Sequence, residues 1–265
     1  MHDISNSQIK YLKAQQKHKW IVRISRILVF VVFLASWELA SGFGIIDSFI
    51  FSSPSQVLLC FWSMVLDKSI FLHIGVTLYE TIISFILVTL FSLICATLLW
   101  FSKKLSEITE PFLVVLNSLP KSALAPLLIV WLGATPTTII VAGMSVALFG
   151  SILNMATAFK EVDPEKIKLI YTLRGNKFQA LTKIVIPNCI PAIVSNMKVN
   201  IGLCLVGVII GEFLAARNGL GYLIIYSSQV FKLDWLLMSI CILCILAMGL
   251  YALLNWVEKL YQKYF

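Results

Sequence analysis

The chain has 265 residues, of which 59% are hydrophobic and only 13% charged, with a mean hydropathy of +0.92 and a formal net charge of +8. A soluble domain carries about 25% charged residues, so this composition excludes an ordinary soluble domain and points to a polytopic membrane protein. The surplus of Lys and Arg is then a topology signal and not the footprint of a nucleic-acid binder.

Residues 1–21 form a basic tail with no core-forming pattern, suited to the cytoplasmic surface of a bilayer. The first apolar span covers about 22–44. Its basic front resembles a secretory signal, but Trp37 and Glu38 stand where a small-residue cleavage site belongs. Residues 45–70 are expected outside, and Ser53-Pro54-Ser55 opens an amphipathic helix to Leu66 that is too short to span. The second span, about 73–101, ends at Lys103-Lys104. The third, about 108–132, is interrupted by Pro120-Lys121 and Pro126. Such a break is tolerated in lipid only where the loosened backbone is buried in protein or faces a cavity. The fourth span covers about 136–159, the fifth about 188–215 and the sixth about 234–257. The expected fold is all-α: a six-span domain over 22–257, with a short basic tail over 258–265.

Between the fourth and fifth spans lies a polar, basic segment, 160–187, with six Lys or Arg. It reads as two short helices. Asp163 is an N-cap, Pro164 suits the first helical position, and Glu165 sits at the positive helix end. Gly175 is expected to supply a left-handed stop, and Asn176 to cap a second helix that ends before Pro187. A folded element of this kind at the face of a membrane bundle reads as a docking surface.

Orientation follows from Lys and Arg. The amino-terminal tail, the 102–110 loop, the 160–187 segment and the carboxyl-terminal end hold 16 of the 21. The opposite side holds Lys68, Arg217 and Lys232. The bias places both termini and the 160–187 segment in the cytoplasm. No internal repeat or inverted half is visible, which weakens a repeat-built secondary transporter.

Several chemistries are not encoded. There is no GxxxxGK[ST] phosphate loop, HExxH or GxSxG, and His2, His18 and His73 are scattered. Cys241 and Cys244 form a CxxC on an apolar helix and read as packing residues. Five ionisable side chains lie within or at the edge of spans: Glu38, Glu80, Lys121, Lys198 and Glu212. Each costs ~2.5–3.5 kcal/mol at a helix centre and therefore faces the bundle or water. They line a polar pathway, pair with one another, or snorkel near helix ends. Asn196 and Asn200 are one turn apart on one face, placed to bond a solute or a neighbouring helix. Gly207 and Gly211 form a small-xxx-small pair suited to close helix packing. Asn117 and Asn154 read as interhelical glue.

The run Val162-Asp163-Pro164-Glu165, followed by Ile186-Pro187 and Pro191, resembles the cytoplasmic coupling loop of ABC importer permeases. So does Gly211-Glu212-Phe213-Leu214 followed by Gly219-Leu220-Gly221-Tyr222. Ser118-Leu119-Pro120-Lys121 through Trp131-Leu132-Gly133 is similar to the third-span signature of the nitrate/sulfonate/taurine-type branch, and Trp37-Glu38 and Ser53-Pro54-Ser55 fit that branch. The resemblance covers roughly residues 35–260. It departs from the pattern in the loop. The family's usual Glu-Ala-Ala and following Gly are replaced by Lys168, Leu169, Ile170 and Arg174, with Gly175 one place later. Its Gly-Leu-Arg becomes Asn196-Met197-Lys198.

The resemblance implies a pore subunit and not an enzyme, in a multi-pass bacterial inner-membrane assembly. Two permease copies, as a homodimer within lipid, form the pathway. Cytoplasmic ABC ATPase subunits hold ATP and Mg, and a separate extracellular or periplasmic binding protein delivers a small solute such as a sulfonate, nitrate or pyrimidine. It implies ATPase coupling through Asp163, Pro164, Glu165, Lys168, Tyr171, Arg174, Gly175, Asn176 and Pro187, and a pathway lined by Lys121, Asn196, Lys198, Asn200 and Glu212. No cofactor is expected on this chain itself. The competing expectation is an ion-coupled carrier acting without an ATPase.

Overall fold

The computed structural model describes residues 6–47 and 51–264. Among these the regular structure is helical: α1 Asn6–Gly42, α2 Pro54–Leu66, α3 Ser69–Phe101, α4 Lys103–Ser118, α5 Lys121–Leu132, α6 Pro136–Lys160, α7 Pro164–Thr172, α8 Lys177–Ala180, α9 Ile186–Ala215, α10 Leu220–Gln229 and α11 Leu233–Tyr264. Five helical stretches are long and apolar enough to cross a bilayer: 15–42, 69–101, 136–160, 177–215 and 233–260. Helices α4 and α5 make a sixth only as a pair bent by 95°.

The elements extend further than their apolar cores. Residues 6–21 belong to α1 and do not form a separate tail, and α11 runs on through Tyr264. Nothing in either stretch breaks a helix, so the hydrogen-bond ladder continues past the apolar window. Residues 1–5 and 48–50 and Phe265, parts of the tails and outer loop read from the sequence, lie outside the described residues.

The chain divides into two compact units, 1–63 and 64–265. In the first, Glu38 does not snorkel. Its carboxylate accepts from Ser55 N at 3.0 Å and Ser55 Oγ at 2.6 Å, bonding the end of α1 to the first turn of α2, where a negative charge is favoured.

In the second unit α6 is the central helix, packed between α9 and α3. Small residues set that arrangement. A Cβ on Gly207 would stand 2.8 Å from the Gly143 Cα, and one on Gly211 would stand 3.1 Å from the Ile139 Cα. The small-xxx-small pair therefore serves close packing of α9 on α6 within the subunit. Ser84 of α3 sits over Gly143 and donates to Ile140 O at 3.0 Å as well as to Glu80 O at 2.7 Å. Val88, Ala147 and Cys204 close the centre without exposed surface.

Candidate functional site

The segment between α6 and α9 is a folded platform. Asp163 accepts from Glu165 N at 2.8 Å and so caps α7, with Pro164 opening the helix. The helix stops in a Schellman arrangement: Arg174 N donates to Tyr171 O at 3.0 Å and Gly175 N to Ile170 O at 2.8 Å. The left-handed residue is Arg174, with φ 60°, and not Gly175 as expected. Gly175 is required for a different reason. A Cβ there would stand 2.5 Å from Ile170 Cγ2 and 2.9 Å from Ile170 O. Asn176 and Gln179 then exchange a capping box, at 2.8 and 2.9 Å, that starts α8.

The second loop helix does not end before Pro187. A π turn over Leu181–Val185 joins α8 to α9, with Ile186 N donating to Leu181 O. The wider turn accommodates a proline, which lacks an N–H, directly after it. The continuous stretch 177–215 is 39 residues, roughly 58 Å at 1.5 Å per residue, against a hydrocarbon core of about 30 Å. Its first turns therefore project beyond the apolar slab and carry the platform with them.

The platform is anchored to the bundle beneath it. Phe159, Val162, Leu181, Val185 and Cys189 are buried with Ala96, Leu99, Ile152 and Met155 in one apolar cluster. Lys177 Nζ donates to Phe101 O at 2.8 Å, at the negative end of α3, and lies 5.6 Å from the Trp100 ring centre. Lys160 pairs with Glu110 at 3.0 Å. The outer side is different. Leu169, Tyr171, Leu173 and Phe178 are exposed at 57, 46, 71 and 62%, among the solvated Glu165, Lys168 and Arg174. Leu169, Leu173 and Phe178 escaped the sequence reading. The signal was there, as apolar residues in a polar segment, but only the burial of their neighbours shows which of them stay outside.

Within the bundle, Asn196 and Asn200 both donate to Ser151 Oγ at 2.8 Å, and Asn154 Nδ2 donates to Asn196 Oδ1 at 3.3 Å. Asn196 and Asn200 are buried, while Asn154 is exposed on α6. At the 95° break, Lys121 Nζ donates to Leu116 O at 2.6 Å and Asn117 O at 2.8 Å, the open carbonyls of α4, and lies 5.6 Å from the Phe149 ring centre. Lys198 is not with this group. It pairs with Glu258, donates to Asn255 at 3.1 Å, and so holds α9 to α11.

Glu212 also lies apart, without exposed surface. It accepts from Thr77 Oγ1 at 2.6 Å and Gly221 N at 2.5 Å, and also from Tyr222 N. Thr77 Oγ1 in turn accepts from Leu220 N at 2.8 Å, and His73 Nδ1 from Gly219 N at 3.0 Å. The tip of α9, the start of α10 and the first turns of α3 are thus one polar knot, stacked over by His73, Tyr222 and Tyr226. Glu80 is buried beside it. Burial among hydrogen-bond donors, and not snorkelling, accommodates Glu212, and Glu80 is buried against it with a side-chain hydrogen bond between the two. Cys241 and Cys244 are free thiols on the exposed side of α11.

Residues 88–263 match the family described as binding-protein-dependent transport system inner membrane component. A probable ABC transporter permease of Haemophilus influenzae is 27% identical over 230 residues, covering 87% of this chain and 93% of that one. The putative aliphatic sulfonates transport permease of Bacillus subtilis is 25% identical, covering 77% and 74%. The taurine transport permease of Escherichia coli is 23% identical, covering 86% and 87%. Among solved structures, an inward-facing methionine ABC transporter superposes with a TM-score of 0.61 at 15% identity, over 76% of this chain and 96% of that one. An amino acid ABC transporter superposes at 0.55 and 18% identity, over 77% and 98%. These likenesses show the fold. The sequence match across about two thirds of the chain shows more: the chain belongs to the binding-protein-dependent transport family, as a membrane-embedded permease subunit of an ABC importer.

Proposed function

We propose that the 160–187 platform is where cytoplasmic ATPase subunits, carrying ATP and Mg, engage this permease. The carrying observation is the contrast across the platform. Its inner side is buried in the bundle, while Leu169 and Leu173, one helical turn apart, form an exposed apolar row on a polar element, with Tyr171 and Phe178 exposed as well. Such a patch on an otherwise polar surface is characteristic of a protein contact. Because the buried cluster of Phe159, Val162, Leu181 and Val185, together with Lys177 on Phe101 O, fixes the loop to the bundle, a push on the row reaches α6 and α9 as a rigid displacement. Both termini share the platform's cytoplasmic side in the bacterial inner membrane, in line with the Lys and Arg bias.

The pathway in this proposal runs along the polar lane of Lys121, Asn117 and Asn154, with Asn196 holding Asn154 from behind and Asn200 bonded to the same Ser151. A second copy of the chain completes it. A binding protein brings a small organic solute to the far side, in keeping with relatives named for sulfonates, taurine, nitrate and formylaminopyrimidine. Purification of the tagged chain from native membranes in mild detergent tests the reading. Recovery of a phosphate-loop ATPase at about one per permease supports it. A chain that runs alone, with uptake that survives ATP depletion and collapses with the ion gradient, overturns it in favour of an ion-coupled carrier.

A further inference from the structure

Helix α1 differs from the other spans in its charge. Between Asp3 and Glu38 the chain holds six Lys or Arg and no acid. The helix is continuous from Asn6 to Gly42, so residues three or four apart share a face. By that spacing Lys19, Arg23, Arg26, Phe30, Phe33 and Trp37 form one stripe, three cations followed by three aromatics. The cations are exposed, and none of them is in an ion pair among the described residues. Phe30 and Phe33 are 62 and 60% exposed, and the Phe33 and Trp37 ring centres lie 6.4 Å apart.

The depth of this stripe sets what can meet it. Glu38, bonded to the start of α2, marks the outer end of the span. Lys19 lies 19 residues before it, about 28 Å at 1.5 Å per residue, against a hydrocarbon core of about 30 Å. Lys19 is therefore at the inner boundary, with Arg23 and Arg26 about 6 and 10 Å inside it. A guanidinium at that depth needs an anion drawn to it, or a route to the headgroups along its own face. The acids that the other spans carry at the platform end, Glu107, Glu110 and Glu258, are paired with Lys103, Lys160 and Lys198, so a second copy offers no free acid on its spans at this level. The phosphate of a lipid is the anion that remains. Two guanidinium forks and an ammonium along one face suit a phosphodiester, and the aromatic residues beyond them suit an acyl chain.

We propose that the stripe holds one anionic phospholipid of the cytoplasmic leaflet, with its headgroup on Lys19, Arg23 and Arg26 and an acyl chain along Phe30, Phe33 and Trp37. The proposal rests on the cytoplasmic placement of the amino terminus and is independent of the ATPase contact. Lys17 supplies the internal contrast. It is also exposed, but it stands about 160° around the helix from Lys19, off the stripe.

The test is native mass spectrometry of the full chain in detergent, titrated with phosphatidylglycerol and with phosphatidylethanolamine of the same acyl chains. The expected result is a first phosphatidylglycerol bound at least tenfold tighter than phosphatidylethanolamine. Arg23→Gln combined with Arg26→Gln abolishes this preference and leaves the melting temperature unchanged, while Lys17→Gln keeps the preference within twofold. Equal binding of the two lipids overturns the assignment. So does a loss with Lys17→Gln as large as with the paired variant, the mark of a general attraction to charge. A paired variant that keeps its lipid preference but separates from a second copy shows a protein contact in place of a lipid site, and also overturns it. The placement is checked by itself: a tag ahead of α1 is cleaved by added protease in inverted vesicles and protected in right-side-out ones, and the reverse pattern removes the placement and the proposal with it. ATPase recovery decides the importer reading separately.

Discussion

The two ends of α6 and α9 solve opposite problems. At the platform the chain leaves the apolar slab, and order is imposed from below: an apolar cluster around Phe159 and Leu181, one lysine on the end of α3, and two side-chain caps. At the other end α9 finishes inside the protein, and order is imposed by polar groups without solvent. Glu212, Thr77 and His73 accept the first N–H groups of α10 in place of water. The first design leaves apolar side chains exposed. The second leaves no free donor at its centre and tolerates little change. The difference teaches that buried carboxyl groups frame the end away from the platform, while the platform end presents exposed apolar groups.

The comparison breaks most sharply at Glu212. Glu212→Leu strands the Thr77 hydroxyl and the Gly221 and Tyr222 amides, each worth ~1–3 kcal/mol when buried and unpaired. The expected loss is about 3–5 kcal/mol, read as a large drop in the melting temperature of the detergent-purified chain. An unchanged melt would show that the knot frames nothing.

Gly219 follows. Its φ of 117° and ψ of 164° fall in a region occupied essentially by glycine, and an added Cβ would enter the Glu212 carboxylate. Gly219→Ala is expected to cost about 2–3 kcal/mol from backbone strain and displacement of that cap.

Lys198 comes next. Lys198→Met leaves Glu258 partly buried and unpaired. It is expected to destabilise by about 2–3 kcal/mol with the KM for solute unchanged, and Lys198→Met with Glu258→Gln is expected to recover most of the loss. A changed KM in the double variant would return Lys198 to the pathway.

The platform should prove more forgiving in stability and less so in function. Gly175→Val forces Ile170 aside and is expected to reduce ATP-driven uptake severely, with normal insertion and a melt lowered by about 1–2 kcal/mol. Arg174→Gly relieves a left-handed residue and should stabilise by ~1 kcal/mol, the smallest effect of the series.

The same contrast governs what could be read in advance. Spans, the broken third span, the caps at Asp163 and Asn176 and the platform itself follow from local patterns of hydropathy, proline and capping residues, and these the structure reproduces. Boundaries were less legible. The helix through Pro187 depends on a π turn that no local pattern marks, and the left-handed stop shifted from Gly175 to Arg174 because the Schellman bonds, and not residue type, set the register. The knot around Glu212 was illegible for a plainer reason. Glu212 and Thr77 are 135 residues apart, and Glu212 and Lys198 look equally like pathway residues until their partners are seen. The apolar row at Leu169, Leu173 and Phe178 was likewise hidden until the buried side of the platform identified the free one.

The most direct test is recovery of the ATPase with a permease altered only on the exposed row. Leu173→Asp, at a position 71% exposed, should leave the melting temperature of the purified permease unchanged and abolish co-purification of the ATPase. An ATPase recovered in full with Leu173→Asp, and again with Leu173→Asp and Phe178→Asp combined, would contradict the account.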